Sequence, residues 1–236
     1  MQISGPTQQP VEEELDVLQR LLPLDGACVL ELGCGAADKT RQLAEKSGVA
    51  KIVAAEVDEH AHAKNLQITD LDKVEFVAFG AEEIDAPDDT FDIVLMFKSL
   101  HHVPLELLDQ SFAEIWRVLK PNGLLYISEP VFAGDFNEVV RLFHDESIVR
   151  QAAFDATKRS VKRPEWTLKE EYFFKNVVRL EAFAQFERGI MQATFMDHQL
   201  EPDLHAQVKA KFESYAGPNG YIFEVPNRVD LLQKVA

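Results

Sequence analysis

Basic residues, cysteines and long apolar runs are all scarce in this chain. Its 236 residues include 24 Lys and Arg against 40 Asp and Glu, which gives a formal net charge of −16. Nucleic-acid affinity comes largely from clustered cations that displace counterions from phosphates. The charge therefore argues against a nucleic-acid-binding protein. Because no run of about 18 apolar residues occurs, membrane insertion is not expected either.

The two cysteines, Cys28 and Cys34, lie on a predicted strand and in the turn after it. In an extended chain they would be roughly 20 Å apart at ~3.3 Å per residue, which is too far for a disulfide. Free thiols are typical of a reducing compartment, and residues 1–17 lack the basic and apolar segments of a secretory signal. We expect a soluble, cytoplasmic protein, either a monomer or a dimer.

Short apolar runs alternate with polar, helix-like segments over the first half of the chain. The predicted strands are 28–32, 52–57, 74–79, 91–97 and 124–128, and the predicted helices are 11–22, 36–47, 59–69 and 104–119. This alternation is typical of a mostly parallel sheet covered by helices on both faces. We predict an α/β protein with a three-layer Rossmann-like sheet, in one domain over residues 1–236 with its core at 11–130.

The pattern changes after Pro130. Residues 134–160 indicate one long or broken amphipathic helix, and the capping box TLKE at 167–170 predicts another helix through about Gln185. Residues 131–185 would then form a helical insertion, or lid, over the cleft. The segment 186–236 would close the sheet with a strand near 188–196, a helix at 203–216 and an antiparallel last strand near 228–235.

Phenylalanine is frequent beyond residue 130, and two interpretations fit. The residues concerned include Phe132, Phe136, Phe143, Phe154, Phe173 and Phe174. They could line an apolar substrate pocket under a lid. They could equally form an ordinary amphipathic core, which their helical spacing favours at least as strongly.

The stretch VLELGCGAAD, residues 29–38, carries an apolar strand through Glu31 into a turn with two glycines. Ligands of parallel sheets bind at the carboxyl ends of the strands, and Gly33 and Gly35 let the backbone approach a ligand closely. Glu31 and Asp38 would each oppose a pyrophosphate by ~4 kcal/mol at 4 Å and an effective dielectric of 20. The loop therefore disfavours NAD and favours a cationic ligand without phosphate, such as S-adenosylmethionine.

Glu56 ends the second predicted strand, about 20 residues after Gly35, which is the spacing at which a carboxylate meets ribose hydroxyls. The carboxylate of Glu31 suits the α-ammonium of S-adenosylmethionine, directly or through water. The loop and the two acids together predict S-adenosylmethionine as the cofactor and S-adenosylhomocysteine as its product.

Four motifs in order carry a family resemblance: VLELGCGAAD, IVAAEVD, FVAFGAEEIDAPDDTFDIVLMFKSLHHV and WRVLKPNGLLYISEP. They resemble class I S-adenosylmethionine-dependent methyltransferases, in the ubiquinone/menaquinone-methyltransferase-like branch, over residues 26–130. The resemblance implies an enzyme that moves a methyl group to a small-molecule acceptor by in-line displacement. The alternative is a cofactor-binding regulatory or partner protein that has lost catalysis.

The resemblance also implies roles by position. Glu31 would bind the ammonium of the cofactor and Glu56 its ribose hydroxyls. The other implied cofactor-binding residues are Gly33, Cys34 and Gly35 at the methionine end, Val57 beside Glu56, Ala81 and Glu82 against the adenine, and Phe97 and Lys98 along the cofactor. The family usually has an acid for the adenine amine where this chain has Gly80. Glu82 or a backbone carbonyl is expected to replace it.

His101 and His102 follow the fourth predicted strand at the edge of the cleft. Either is a candidate general base, and the alternative is that they pack or line the cofactor pocket. A base is needed only when the acceptor is not already nucleophilic, and it then contributes roughly 10²–10⁴-fold. No Cys or His spacing indicates a metal site, so no metal is predicted.

Overall fold

The computed structural model describes residues 1–191 and 200–235. Its strands are β1 (Cys28–Leu32), β2 (Lys51–Ala55), β3 (Val74–Val77), β4 (Phe91–Phe97), β5 (Leu119–Pro130), β6 (Trp166–Leu180) and β7 (Tyr221–Lys234). Its helices are α1 (Glu14–Leu21), α2 (Asp38–Lys46), α3 (Glu59–Asn65), α4 (Leu108–Val118), α5 (Asp135–Val140), α6 (Ser147–Val161), α7 (Phe183–Phe186) and α8 (Pro202–Glu213). The predicted core elements are thus present, with small shifts at their ends.

The strands form one seven-stranded sheet in the order β3-β2-β1-β4-β5-β7-β6. The pairs from β3 to β5 are parallel, and β7 runs antiparallel to both of its neighbours. The predicted fold class, with an antiparallel last strand, is confirmed. Because β1 lies between β2 and β4, the chain reverses its winding direction there, and parallel sheets bind ligands at the carboxyl edge of that position.

The sheet is covered on both faces because its central strands are mostly apolar on both sides. In β1, Leu30 belongs to the core cluster that α4 covers, whereas Val29 belongs to the cluster that α1 covers. Helix α4 contributes Leu108, Phe112 and Ile115, which lie on one face at helical spacing. This two-sided core fixes the strand ends that carry the candidate site.

The predicted helix over 167–185 is wrong, because residues 166–180 form strand β6. The TLKE box is a short local signal, whereas β6 pairs with β7 along its length. Tyr172 and Phe174 project from the same face of β6, and their rings stack with centroids 6.3 Å apart. Long-range strand pairing therefore overrides the local capping signal.

The rest of the second half agrees in part with the sequence. The segment 134–160 is broken into α5 and α6, while α8 and β7 confirm the predicted last helix and strand. The strand predicted near 188–196 is wrong for 188–191, which lie in a π-helical turn, and 192–199 lie outside the described residues. In the described part of the chain, no helix has the length and apolarity needed to cross a membrane.

Many phenylalanines of the second half are core residues. A third core cluster between α5, α7, α8 and β7 contains Phe136, Phe143, Phe183, Phe186, Phe212 and Phe223, while Phe174 belongs to the cluster that α1 covers. Phe186 and Phe212 are fully buried, with ring centroids 5.1 Å apart. Phe136 meets Phe223 edge-on at 5.4 Å. This packing favours the interpretation of these side chains as core and disfavours an apolar substrate pocket built from them.

Truncation of Phe212 tests this assignment. Phe212→Ala should lower the free energy of unfolding by about 3–5 kcal/mol, the usual cost of emptying a buried aromatic site, as measured by urea denaturation. Ile148, 74% exposed, offers the matched control, and Ile148→Ala should change stability by less than about 0.5 kcal/mol. A loss below 1 kcal/mol for Phe212→Ala would contradict the core assignment.

Candidate functional site

The turn after β1 has the geometry of a ligand-binding loop. Gly33 and Gly35 adopt positive φ angles of 74° and 54°. A Cβ added to Gly33 would lie 2.6 Å from the Cβ of Ser99, in the turn after β4, whereas one added to Gly35 would meet nothing within 4 Å. Gly33 is therefore needed for packing between the two turns, and Gly35 borders open space.

Glu31 lies at the end of β1 and is almost fully buried, with 1% exposure. Its Oε2 accepts a 2.7 Å hydrogen bond from the hydroxyl of Thr40 on α2. Burial raises the pKa of Glu31 to about 7, the negative Glu56 adds to this effect, and the Thr40 hydrogen bond and the charge of Lys39 partly offset it. A cationic group bound beside Glu31 would favour the ionised form.

Glu56 follows β2 and bonds directly to the glycine loop. Its Oε2 accepts the backbone N–H of Gly35 at 2.6 Å, and its Oε1 accepts the N–H of Asp58 at 2.8 Å. Asp58 in turn caps α3 through a 2.8 Å bond from the N–H of Ala61. The structure thus brings Glu56 and Gly35 together, and the predicted contact of Glu56 with ribose hydroxyls stays a prediction.

Asn65, at the end of α3, holds the loop from the other side and was missed in the sequence. Its Nδ2 donates to the carbonyl of Gly35 at 2.8 Å and contacts the Sγ of Cys34 at 3.5 Å. No local motif marks it, because the contact joins residues 30 positions apart. Burial raises the pKa of the Cys34 thiol, so Cys34 lines the loop as a neutral thiol; both cysteines are free.

Ala37 stands where related loops often have a third glycine, and it adopts a left-handed conformation. Its φ is 60° and its ψ is 22°, immediately before α2. A non-glycine residue in this region costs roughly 1–2 kcal/mol through contact of its Cβ with the backbone. The loop therefore holds a small amount of strain at this position.

Replacing Ala37 with glycine should relieve the strain. Ala37→Gly is expected to raise the free energy of unfolding by about 0.5–1 kcal/mol, seen as a higher melting temperature of roughly 1–4 °C. Ala44 lies in the interior of α2, so Ala44→Gly should lower stability by about 1 kcal/mol. Equal destabilisation by both substitutions would show that Ala37 carries no backbone strain.

The predicted adenine-side residues follow β3, whose end lies beside Glu56 through a 3.1 Å bond from the Glu56 N–H to the carbonyl of Val77. A Cβ on Gly80 would lie only 2.4 and 2.5 Å from the two carboxylate oxygens of Glu82. The Glu82 carboxylate thus occupies the space beside Gly80 that a side chain there would fill. Ala81 is buried next to it.

The remaining predicted cofactor residues lie at the ends of β2 and β4. Val57 is 66% exposed directly after Glu56, an unusual exposure for a large apolar side chain. The ring centroid of Phe97 lies 5.8 Å from that of Tyr126. Lys98 adopts a positive φ of 55°, and its N–H donates to the carbonyl of Ser128 at 2.7 Å. Their contacts with a cofactor stay predictions.

Of the two candidate histidines, His101 is buried inside a network of charged groups. Its Nδ1 hydrogen-bonds the carboxylate of Glu129, and its Nε2 lies 3.5 Å from Oε1 of Glu146. Arg150 forms an ion pair with the other oxygen of Glu146. Burial lowers the pKa of His101, but the two carboxylates outweigh it and raise the pKa to about 9. At neutral pH His101 is therefore protonated and suited to donating a hydrogen bond.

His102 differs from its neighbour in both exposure and charge. Its side chain is exposed, and its ring centroid lies 4.2 Å from that of His101. Burial of the ring nitrogens and the neighbouring His101 lower its pKa. His102 is thus the candidate that is neutral near pH 7, the form that a general base requires. Glu129, Glu146 and Arg150 were missed because nothing local in their segments marks them.

His101, His102 and Glu146 each offer an atom within 4.8 Å of the others, which is close enough to hold a metal ion. However, Glu146 already pairs with Arg150, and His101 with Glu129. Within residues 1–191 and 200–235 this is the one group of its kind. The absence of a metal site stays a prediction.

The sequence of this chain is similar to those of known methyltransferases. Residues 30–127 match the family described as "Methyltransferase domain". The sterol 24-C-methyltransferase of Yarrowia lipolytica is 30% identical over 117 residues, which are 48% of this chain and 30% of that protein. The ubiquinone/menaquinone biosynthesis C-methyltransferase UbiE of Hydrogenovibrio crunogenus is 32% identical over 109 residues, covering 44% of this chain and 42% of that one. The chain spans less than half the length of these two relatives.

A solved structure supports the fold over nearly the whole chain. A protein of Bacillus halodurans C-125 superposes with a TM-score of 0.66 at 18% identity, covering 94% of this chain and 99% of that one. At this identity the likeness shows the fold, and it agrees with the predicted Rossmann-like class. The chain carries a methyltransferase domain over residues 30–127.

Proposed function

We propose that the chain binds S-adenosylmethionine and transfers its methyl group to a small-molecule acceptor. The observation that carries the proposal is the pair of buried carboxylates, Glu31 and Glu56, on either side of the glycine loop within the matched domain. This arrangement offers anionic acceptors for an ammonium and for two hydroxyls.

We assign each carboxylate a separate role. Glu56 holds the loop through the N–H of Gly35, and a carboxylate has about four lone-pair sites, so ribose hydroxyls can bond to it as well. Glu31 would bind the α-ammonium at the methionine end. Glu82, beside Gly80, is positioned to accept from the adenine amine in place of the usual acid.

The reaction requires mainly alignment of the acceptor atom, the methyl carbon and the sulfur. Holding these groups in line contributes ~7–11 kcal/mol in favourable cases. S-adenosylhomocysteine leaves as a neutral thioether, so the leaving group needs no acid. If the acceptor must lose a proton, His102 is the better suited base because its pKa is lowered, while both ring nitrogens of His101 are held by Glu129 and Glu146.

A small-molecule acceptor is supported by charge and by the matched relatives. The net charge of −16 disfavours binding to a nucleic acid, and the relatives carry the names of sterol and ubiquinone/menaquinone C-methyltransferases.

Ligand-dependent thermal unfolding tests the cofactor assignment. S-adenosylmethionine or S-adenosylhomocysteine at 100 times its dissociation constant should stabilise the protein by ~2.7 kcal/mol, or roughly 5–11 °C, whereas NAD should not. Glu56→Gln should lose most of this shift because it weakens the bond to the ribose. Glu59, exposed in the first turn of α3, supplies the control Glu59→Gln, which should keep the shift.

A shift with NAD alone would contradict the electrostatic argument and the proposed cofactor. Binding of both adenosyl ligands without methyl transfer to any acceptor, assayed with a broad mixture of metabolites and radiolabelled S-adenosylmethionine, would instead favour a regulatory or partner protein.

The pH dependence of cofactor binding should follow Glu31. The raised pKa means that the free folded protein binds this proton more tightly than the unfolded chain, so the stability contribution of Glu31 is present at low pH and is lost as pH rises through about 7. The α-ammonium of S-adenosylmethionine would bind Glu31 only when its carboxylate is ionised. Affinity for S-adenosylmethionine should therefore fall up to tenfold per pH unit below 7.

Calorimetric titration from pH 5.5 to 7.5 measures this dependence. Glu31→Gln should bind more weakly at pH 7.5 and show a nearly flat profile. A wild-type profile that is equally flat would contradict the role of Glu31 as the ammonium partner.

A further inference from the structure

Two histidines and a glutamate from separate parts of the chain converge after β4. His101 and His102 lie in the short 3-10 turn Leu100–His102, and Glu146 lies directly before α6. Each of the three offers one nitrogen or oxygen atom, and these atoms all lie within 4.8 Å of one another. Imidazole and carboxylate groups are ordinary ligands of zinc and similar metal ions. The sequence alone predicted no metal, because Glu146 is distant from the two histidines along the chain.

The two imidazoles face the same space although they are neighbours in the chain. Adjacent residues of a helical turn normally do not face each other, but these ring centroids are 4.2 Å apart, with 43° between the ring planes. His101 is buried, whereas His102 is exposed. The cluster therefore has one histidine inside the protein and one at its surface, where an ion can enter from solvent.

The spacing within the cluster suits metal coordination. Nε2 of His101 lies 3.5 Å from Oε1 of Glu146, which is longer than the about 2.7–3.2 Å of an ordinary N–H···O hydrogen bond. Two atoms bound tetrahedrally to one zinc ion, each about 2.0–2.1 Å from it, are roughly 3.3 Å apart. The separation therefore fits two ligands of one ion better than it fits a direct hydrogen bond.

Glu129 orients His101 in the way that a supporting carboxylate orients a histidine ligand. Nδ1 of His101 bonds to the carboxylate of Glu129, so Nε2 is the atom that faces Glu146. Histidine ligands almost always donate their other ring N–H to a carboxylate, a carbonyl or water, and this bond fixes the ring and strengthens the ligand. Glu129 is itself held by the N–H of Leu100 at 3.0 Å. Its pairing with His101 thus leaves Nε2 available for an ion.

Glu146 is held in a similar way and keeps one oxygen directed at the histidines. Arg150 pairs with its Oε2, and His144 hydrogen-bonds to its Oε1 at 3.0 Å. An ionised carboxylate oxygen has two lone-pair sites, so Oε1 can also bind an ion. Glu146 occupies the N-cap position of α6, yet among the described residues its side chain makes no capping hydrogen bond. The carboxylate is turned to the cluster instead.

We propose that His101, His102 and Glu146 bind a divalent metal ion such as Zn²⁺, at a site that the proposed methyl transfer does not itself require. His101 binds through Nε2 and Glu146 through Oε1, and the fourth position of a tetrahedral ion holds water. Binding replaces a proton on Nε2 of His101, and this proton passes to solvent. The site joins the turn after β4 to the start of α6. His102 is then a ligand and not a general base.

Zinc binding to the full chain tests this inference. The protein is stripped with a chelator, dialysed and titrated with Zn²⁺ by calorimetry in the absence of any adenosyl ligand. Wild type should bind one Zn²⁺ per chain. His102→Ala should weaken this binding by more than about 100-fold, because losing a ligand costs more than losing a group that orients one. Since His102 is exposed, the metal-free variant should melt close to wild type.

Two further variants separate the cluster from other imidazoles and carboxylates. Glu129→Gln keeps the shape of the side chain that orients His101 but removes its charge, and it should weaken Zn²⁺ binding by about 10–100-fold. His60 is exposed on α3 and supplies the matched control, because His60→Ala removes an imidazole outside the cluster. This variant should bind Zn²⁺ as wild type does.

Co²⁺ identifies the ligand directly, because it occupies zinc sites and reports their ligands through its absorption spectrum. Thiolate is a good ligand for these ions. The Co²⁺ complex of His102→Cys should therefore show a thiolate-to-metal charge-transfer band. Wild type, whose cysteines lie on β1 and in the turn after it, should lack this band. A substitution that only disturbed the fold would not produce it.

Two results would overturn the inference. One is the absence of metal binding to wild type, both in the Zn²⁺ titration and in the Co²⁺ spectrum. The other is Zn²⁺ binding that His102→Ala leaves unchanged, because the ion would then lie elsewhere. Either result leaves the cofactor assignment intact, since no adenosyl ligand takes part in the experiment, and His102 then remains the candidate base.

Discussion

The hydrogen bond from the backbone N–H of Gly35 to the carboxylate of Glu56 is the contact on which the site depends. It joins the turn after β1 to the end of β2, across the position where the winding of the sheet reverses. A neutral side chain could hold the loop equally well, but it would offer fewer lone pairs to hydroxyl groups. Asn65 completes the support by binding the carbonyl of the same glycine.

Charge is distributed unevenly along this edge of the sheet. The ends of β1 and β2 carry the buried anions Glu31 and Glu56, and the turn after β4 carries the exposed cation Lys98. Further along, His101 and Arg150 pair with Glu129 and Glu146. The anions at the ends of β1 and β2 thus lie beside the glycine loop, where the cofactor is proposed.

The first half of the chain was predictable because its signals are local. Strand, glycine turn and acid follow one another within residues 29–38, and parallel strands bring such ends to one edge. The second half of the chain was harder to predict. The TLKE box at 167–170 predicted a helix, but pairing with β7 makes this segment a strand. The energy of that pairing comes from residues 41 to 68 positions away in the chain.

By itself, the sequence determined the mostly parallel strands of the core, the glycine loop and the acids beside it, because short backbone patterns and the rules of parallel sheets are sufficient for these. Only the tertiary structure decided the properties that arise between distant residues. It placed the carboxylate of Glu82 beside Gly80 and raised the pKa of His101 through Glu129 and Glu146. Burial and charge pairing depend on which segments meet, and no local pattern contains that information.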